Sequence, residues 1–192
     1  MFIRSWKNQV FTVPNMLSIL RLALLPVYAR IYLGATQRQH YLLAGGILAF
    51  SCLTDLLDGQ IARHFHQITT LGKVLDPLAD KVTQLVLILC LSKTHPILKP
   101  ILTIFLVKEI FQLCASIALL TQGRMLSGAL AAGKICTAFL FLSMTWMVLI
   151  PDMGTPLVKA ITLTDSMMLI VSFGSYILAY CNACLVPGKQ EK

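Results

Sequence analysis

Residues 55–80 read DLLDGQIARHFHQITTLGKVLDPLAD and contain four of the chain's eight acidic residues, Asp55, Asp58, Asp76 and Asp80. The sequence on both sides is apolar enough to lie in a membrane, where a carboxylate costs several kcal/mol unless it is paired or bound to a metal. Four carboxylates that lie close together also repel one another. Such a group is stable only around positive charge, which divalent cations supply most simply. The stretch therefore predicts a metal site of the kind that serves phosphate chemistry.

The spacing of these carboxylates predicts a pair of helices. Asp55 and Asp58 are three residues apart and Asp76 and Asp80 are four apart, so each pair projects from one face of its own helix. The polar segment Arg63–Gln67 is predicted to reverse the chain and bring the two helices side by side.

Two glycines accompany the carboxylates. Gly59 and Gly72 carry no side chain, so a ligand or a neighbouring helix could approach the backbone there. The alternative interpretation is a buried network in which Arg63, Lys73 and Lys81 pair with the aspartates and only fix helix packing. No structural task requires four carboxylates at this depth, and the metal site is therefore favoured.

Composition indicates an integral membrane protein. The chain is 57% hydrophobic and only 12% charged over 192 residues, which excludes an ordinary soluble domain. We predict an all-α protein with six transmembrane helices in one domain, residues 1–192, without an internal repeat or a cleavable signal peptide. Apolar runs near the length of about 20 residues that a bilayer requires occur at 15–34, 41–62, 71–92, 97–120, 131–150 and 160–183.

The segment before the first apolar run predicts a short interfacial amphipathic helix over residues 2–12. Apolar residues recur there at helical spacing, with Arg4 and Lys7 between them, which suits a helix lying among lipid headgroups. Pro14 and Asn15 then open the first span, and Asn15 is the expected N-cap.

Basic residues near the span ends predict the orientation. One side of the membrane carries Arg4, Lys7, Arg63, Lys73, Lys81, Arg124, Lys134, Lys189 and Lys192, and the other carries Arg30, Arg38, Lys93, Lys99 and Lys159. The excess of basic residues on the first side predicts that both termini and the aspartate cluster face the cytoplasm. The expected membrane is the inner membrane of a cell. The net charge of +8 then matches anionic membrane lipids rather than nucleic acid, for which no recognition motif is present.

The aspartate stretch resembles the signature of the CDP-alcohol phosphotransferases, a family of membrane enzymes. The fixed positions of that signature are filled here as Asp55-x2-Asp58-Gly59-x2-Ala62-Arg63, then Gly72-x3-Asp76-x3-Asp80. The phosphatidylglycerophosphate synthase and CMP-forming cardiolipin synthase branches are resembled by Pro14-Asn15-x2-Ser18-x2-Arg21 and by Leu71-Gly72-Lys73-x2-Asp76-Pro77-Leu78-Ala79-Asp80-Lys81. The resemblance implies transfer of a phosphatidyl group from CDP-diacylglycerol to an alcohol, with release of CMP.

The resemblance also implies a role for each signature residue. Two cations, Mg²⁺ with Mn²⁺ as the alternative, would be held by Asp55, Asp58, Asp76 and Asp80. Asp76 and Asp80 would be the catalytic pair, in which Asp80 is the general base for the acceptor hydroxyl. The CDP-lipid would bind at Asn15, Gly59, Ala62, Arg63 and Gly72.

The acceptor is less well defined by the sequence. Glycerol 3-phosphate carries its own charge and requires cations, which Lys81, Lys108 and Lys134 are predicted to supply. Relatives that use glycerol 3-phosphate carry further cations at the positions of Ser116 and Cys136. The lysines make glycerol 3-phosphate the expected acceptor, as in a phosphatidylglycerophosphate synthase. The two replacements favour the alternative acceptor, phosphatidylglycerol, as in a CMP-forming cardiolipin synthase.

Other acidic residues and a rival function complete the expectations. Glu109 is expected to pair with a neighbouring basic residue, and Asp165 to cap or pair at the start of the sixth helix. Dimers are common in the family, so a homodimer is an expected assembly. A divalent-cation transporter, the rival class, would spread carboxylates along several helices and usually repeat its halves, whereas four of the chain's acidic residues lie in one short stretch.

Overall fold

The structure is a computed structural model that describes residues 13–64, 72–121 and 131–185. Within these helices the side chains at 13–14, 53–64, 72–74, 120, 131–132 and 183–185 lie outside the description. The predicted interfacial helix at 2–12 lies outside it as well.

The described residues are helical and contain no strand, as the all-α prediction requires. Each of the six apolar runs corresponds to one helix, and a 3₁₀ turn at Pro96–Leu98 precedes the fourth. The helices are α1 Val13–Leu33, α2 Arg38–His64, α3 Gly72–Thr94, α4 Lys99–Thr121, α5 Ala131–Leu149 and α6 Thr155–Leu185.

Several helix boundaries differ from those expected, and three of the differences concern residues with a predicted role. Asn15 lies inside α1 and is not its N-cap, because the helix already includes Val13 and Pro14. Helix α6 begins at Thr155, five residues before the predicted start, since a proline such as Pro156 has a backbone angle suited to a first helical turn. Arg63 and His64 belong to α2 rather than to the predicted turn, whose other residues lie outside the described ones.

Three of the described helices are long and apolar enough to cross a bilayer, over Asn15–Leu33, Pro96–Leu119 and Thr155–Asn182, and Gly133–Leu149 is a shorter apolar helix. Their outer faces are strongly apolar: Leu142, Val171 and Leu178 are each 66% exposed. A soluble protein would bury such side chains, whereas lipid accommodates them. The number of six transmembrane helices stays a prediction.

The chain divides into two compact units. The first comprises the described residues up to Leu91 together with Thr145–Pro151, and the second comprises Ser92–Met144 with the described residues from Asp152 onward. In the first unit α1 packs along α2, and the Tyr32 and Tyr41 rings meet edge to face with centroids 5.4 Å apart. A side chain on Gly45 would approach Leu149 to 2.5 Å, so glycine allows close helix packing there.

In the second unit α4 packs against α6. The Phe111 ring meets the Phe173 ring edge to face at 5.3 Å and the Tyr180 ring at 6.0 Å. Leu119, Tyr176 and Tyr180 form a buried cluster, against which Phe111 and Ala115 pack. Aromatic packing thus holds the two helices together and positions the tyrosine hydroxyls inside the unit.

Candidate active site

One face of α1 is buried along its whole length, and its chemistry changes halfway. Leu25, Tyr28 and Tyr32 form the apolar half, at spacings of three and four residues. The half nearer the helix start carries the buried polar residues Asn15, Ser18 and Arg21. Buried polar groups require partners, and those of Ser18 and Arg21 lie on α3.

The two aspartates of α3 are held by this polar face. Ser18 donates a hydrogen bond of 2.6 Å from its hydroxyl to Asp76 Oδ1. Arg21 donates one of 2.7 Å from Nη1 to Asp80 Oδ1, which is also an ion pair. The side chain of Arg21 is only 3% exposed, while that of Asp80 is 57% exposed. Both carboxylates are therefore fixed from the α1 side, while Asp80 is exposed and Asp76 partly exposed on another.

The predicted site residues of α2 are described by their backbone alone. Asp55, Asp58, Gly59, Ala62 and Arg63 lie on the last three turns of α2. Their side chains lie outside the description. Gly72 is the first residue of α3, and its surroundings lie outside the description as well. Lys81 follows Asp80 on α3 and is partly exposed.

The described carboxylates suit a hard divalent cation. Asp76 and Asp80 offer oxygen ligands one helical turn apart, which is the ligand type that Mg²⁺ prefers. Among the residues whose side chains are described, no group of three or more His, Cys, Asp or Glu side chains comes together. A complete ligand set would need Asp55 and Asp58, which lie outside that search. The carboxylate oxygens of Asp76 and Asp80 therefore fit the predicted Mg²⁺ site.

The second unit contains a buried ion pair. Lys108 is 2% exposed and donates a hydrogen bond of 2.7 Å from Nζ to Glu109 Oε1, which confirms the pairing expected for Glu109. Its Nζ also lies 5.6 Å from the centroid of the Tyr176 ring, a distance typical of a cation–π contact. The charge of Lys108 is thus already compensated by this chain's own groups.

Tyr176 connects this ion pair to the start of α5. A Cβ on Gly133 would lie 2.5 Å from the Tyr176 hydroxyl, so only glycine leaves room for the ring. Lys134, the next residue, is exposed. Of the predicted acceptor lysines in this unit, Lys108 points into the interior and Lys134 is open to its surroundings.

The two positions that lack the expected cations have structural roles here. Ser116 and Tyr180 share a hydrogen bond of 2.7 Å between their hydroxyls. Cys136 is 2% exposed and lies within electrostatic range of Lys108 and Glu109. Neither position presents charge, and both contribute to packing.

Asp165 departs from its expected place. It lies ten residues into α6, is buried, and accepts a hydrogen bond of 2.8 Å from the Ser143 hydroxyl. It therefore pairs inside the unit and does not cap the helix, because α6 begins earlier than the apolar run indicated.

Ser18 and Arg21 belong to the family motif quoted above, but no role in the site was predicted for either of them. Both were visible as polar side chains three residues apart within an otherwise apolar span. Such residues in a membrane helix mark a functional interior, and this signal could have identified them.

Comparison with known proteins bears on the family resemblance. Over 115 residues, 59% of this chain, the sequence is 41% identical to a Rattus norvegicus protein named cardiolipin synthase (CMP-forming), of which the match covers 36%. A Homo sapiens protein of the same name is 40% identical over 109 residues, 56% of this chain and 34% of that protein. A Pseudomonas fluorescens protein named CDP-diacylglycerol–glycerol-3-phosphate 3-phosphatidyltransferase is 35% identical over 83 residues, 43% of this chain and 42% of that protein.

The match to the mammalian proteins spans about a third of their length. The family model described as CDP-alcohol phosphatidyltransferase covers far more of this chain, residues 11–178, including both helices of the signature and the α1 face that holds it. The chain therefore belongs to the CDP-alcohol phosphatidyltransferase family.

Proposed function

We propose that this protein transfers the phosphatidyl group of CDP-diacylglycerol to phosphatidylglycerol and forms cardiolipin and CMP. The acceptor hydroxyl oxygen attacks the phosphorus that carries the diacylglycerol, the bond from that phosphorus to CMP breaks, and the hydroxyl proton passes to Asp80 or to water. Bound Mg²⁺, with Mn²⁺ as the alternative, would neutralise the diphosphate and the leaving CMP.

The register of α1 and α2 supports a single cluster of all four aspartates. Tyr32 and Tyr41 are in contact where the two helices meet. Ser18 lies 14 residues before Tyr32 and Asp55 lies 14 residues after Tyr41, so each position is about 21 Å from that contact at 1.5 Å per residue. Asp55 is therefore expected at the level of Ser18, which binds Asp76.

The observation that carries the choice of acceptor is the Lys108–Glu109 ion pair. Glycerol 3-phosphate, a dianionic phosphate monoester, needs more uncompensated cations than phosphatidylglycerol, a monoanionic phosphodiester, whereas the charge of Lys108 is balanced by Glu109 inside the protein. Ser116 and Cys136 add no charge there. A hydroxyl on a lipid headgroup needs less positive charge than a free phosphate monoester does. Relatives named cardiolipin synthase are consistent with this acceptor.

Glycerol 3-phosphate is the second candidate, favoured by one observation. Lys81 and Lys134 are exposed or partly exposed, and their cations could meet a phosphate from solution. The relative from Pseudomonas fluorescens carries this acceptor in its name.

Offering each acceptor separately to the purified protein with CDP-diacylglycerol and Mg²⁺ tests the proposal. Cardiolipin identified by mass, with at least tenfold less phosphatidylglycerophosphate from glycerol 3-phosphate, is the expected result. The reverse ratio would establish the second candidate. Absence of CMP with both acceptors would overturn the transferase itself, and the transporter class would then be tested by Mn²⁺ uptake into proteoliposomes.

In the membrane, both termini and the site are proposed to face the cytoplasm, since the basic residues are more numerous on that side.

A further inference from the structure

The ion pair between Arg21 and Asp80 is asymmetric. The guanidinium is 3% exposed, whereas the carboxylate is 57% exposed, and Nη1 lies 2.7 Å from Oδ1. Arg21 is fixed by the packing of α1, and Asp80 can reach other partners without leaving its helix. In this pair the acid is therefore the partner that a ligand can reach.

The buried guanidinium of Arg21 and the signature carboxylates compensate each other's charge. An arginine inside a membrane helix is costly unless an anion compensates it. The signature carboxylates have the opposite need, since neighbouring carboxylates repel one another without a cation. Arg21 supplies one permanent positive charge to Asp80, and Ser18 supplies a neutral donor to Asp76.

We propose that Arg21 is the resident counter-charge of the aspartate cluster, neutralising Asp80 in the cation-free protein and sharing or releasing that carboxylate when a divalent cation binds. The inference rests on the metal site of the proposed function. It adds that Arg21 and the cation compete for the same carboxylate, so that each weakens the hold of the other.

A coupling of defined sign follows from this competition. Removing the charge of Arg21 takes this ion pair away from Asp80, so the cation-free protein becomes less stable. The same change removes the competitor, so a divalent cation binds more tightly and restores more stability than in the wild type. The two effects are one coupling free energy seen from two sides.

The experiment uses the full chain in detergent with Mn²⁺ alone as the probe. Arg21→Gln removes the charge, Arg21→Lys keeps it, and Arg30→Gln removes a charge from an exposed position of the same helix as the matched control. Melting temperature with and without Mn²⁺ is measured, and the Kd for Mn²⁺ is obtained from the electron paramagnetic resonance signal of the free ion.

Without Mn²⁺, Arg21→Gln is expected to melt about 5 °C or more below the wild type. With saturating Mn²⁺ that gap should close by at least half, and the Kd should fall about tenfold, which equals about 1.4 kcal/mol. Arg21→Lys and Arg30→Gln should stay within about threefold of the wild-type Kd.

Three results would overturn the inference. They are an equal loss of melting temperature with and without Mn²⁺, weaker Mn²⁺ binding in Arg21→Gln, and a change in Arg30→Gln as large as that in Arg21→Gln. If Arg21→Gln cannot be purified, Arg21→Gln combined with Asp80→Asn removes both charges and should be recovered, and its failure to fold would also count against the counter-charge. Wild-type CMP release with no coupling would overturn this inference alone, whereas absence of Mn²⁺ binding in the wild type would overturn the metal site beneath it.

Discussion

The hydroxyl of Ser18 donates a hydrogen bond of 2.6 Å to Asp76 Oδ1, across 58 residues of sequence. Ser18 is fully buried, so this bond forms away from bulk water and fixes the carboxylate relative to α1. The first helix of the chain thus takes part in shaping a site whose signature lies on the second and third.

Ser18→Ala is expected to lower the rate of CMP release about tenfold at subsaturating Mg²⁺. The reason is that hydrogen bonds to charged groups contribute about 1.5–3 kcal/mol, and Asp76 would lose its donor from α1. Thr164→Ala is the control, because Thr164 is exposed and bonds only to its own helix at Ala160. An unchanged Mg²⁺ dependence in Ser18→Ala would show that Asp76 needs no such support.

Replacing any one of Asp55, Asp58, Asp76 and Asp80 by Ala should abolish CMP release. The physical reason is that the four carboxylates together are proposed to hold two cations. Loss of one ligand weakens cation binding, and the negative charge of the diphosphate is then no longer neutralised. Circular dichroism should show the helical content unchanged. Chelation should stop the wild type, and added Mg²⁺ or Mn²⁺ should restore it. Full wild-type activity in the presence of a chelator is the outcome that contradicts the two-cation mechanism.

Asp80→Asn and Asp55→Asn should separate the base from the ligands. Asp80→Asn is expected to keep most of the affinity for CDP-diacylglycerol and to lose turnover by about 100-fold or more, because the proton acceptor is gone. Asp55→Asn should instead weaken cation and nucleotide binding together. Steady-state kinetics over a range of Mg²⁺ concentrations measures both. Equal loss of substrate affinity in the two variants would make Asp80 mainly a ligand.

Glu109→Gln should shift acceptor choice toward glycerol 3-phosphate. The change leaves the charge of Lys108 uncompensated by Glu109. Glycerol 3-phosphate, the more highly charged acceptor, then gains an attraction that the ion pair cancels in the wild type. With both acceptors present, the ratio of phosphatidylglycerophosphate to cardiolipin is expected to rise about tenfold, which corresponds to about 1.4 kcal/mol. A ratio from a single reaction does not depend on how much enzyme stays folded. Asp152→Asn, an exposed acid outside the helices, is the control, and an unchanged ratio in Glu109→Gln would remove the main argument for phosphatidylglycerol.

The helices were predictable from sequence because apolar runs of spanning length have few alternatives in a bilayer. The ends of the helices were less predictable. The apolar run at 160–183 does not include Thr155 and Pro156, whose place in the first turn of α6 depends on backbone angles. The aspartate spacing likewise predicted a helix pair, but a pattern within one segment does not reveal a partner from another. Ser18 and Arg21 meet Asp76 and Asp80 only through packing of distant parts of the chain.

The acceptor lysines illustrate the same limit. Lys108 and Lys134 both stand in apolar helices and were both predicted to meet the acceptor, and the sequence does not show which of them is buried. The fold buries one against Glu109 and the Tyr176 ring and leaves the other exposed. Charge counted along a sequence therefore overstates the charge available to a ligand, because a buried ion pair withdraws part of it.

Gly133→Ala should destabilise the second unit by displacing Tyr176. The added Cβ would lie 2.5 Å from the Tyr176 hydroxyl, 2.8 Å from Cε2 and 3.0 Å from Cζ, so the ring must shift, and its contact with Lys108 is disturbed. Overpacking of this kind costs about 1–3 kcal/mol, and a fall of several degrees in melting temperature is expected. Gly174→Ala is the matched control in α6, since its Cβ meets nothing within 4 Å, and its melting temperature should stay the same or rise slightly because alanine favours helix.

The cause of that destabilisation can be isolated with a second substitution. Tyr176→Leu removes the hydroxyl and the ring atoms that the new Cβ would meet, at the cost of the contact with Lys108. Gly133→Ala combined with Tyr176→Leu should therefore melt no lower than Tyr176→Leu alone, because the two losses share one origin and do not add. If the losses add fully, the glycine serves something other than room for the ring. The link between α5 and the buried ion pair would then have to be sought elsewhere in the unit.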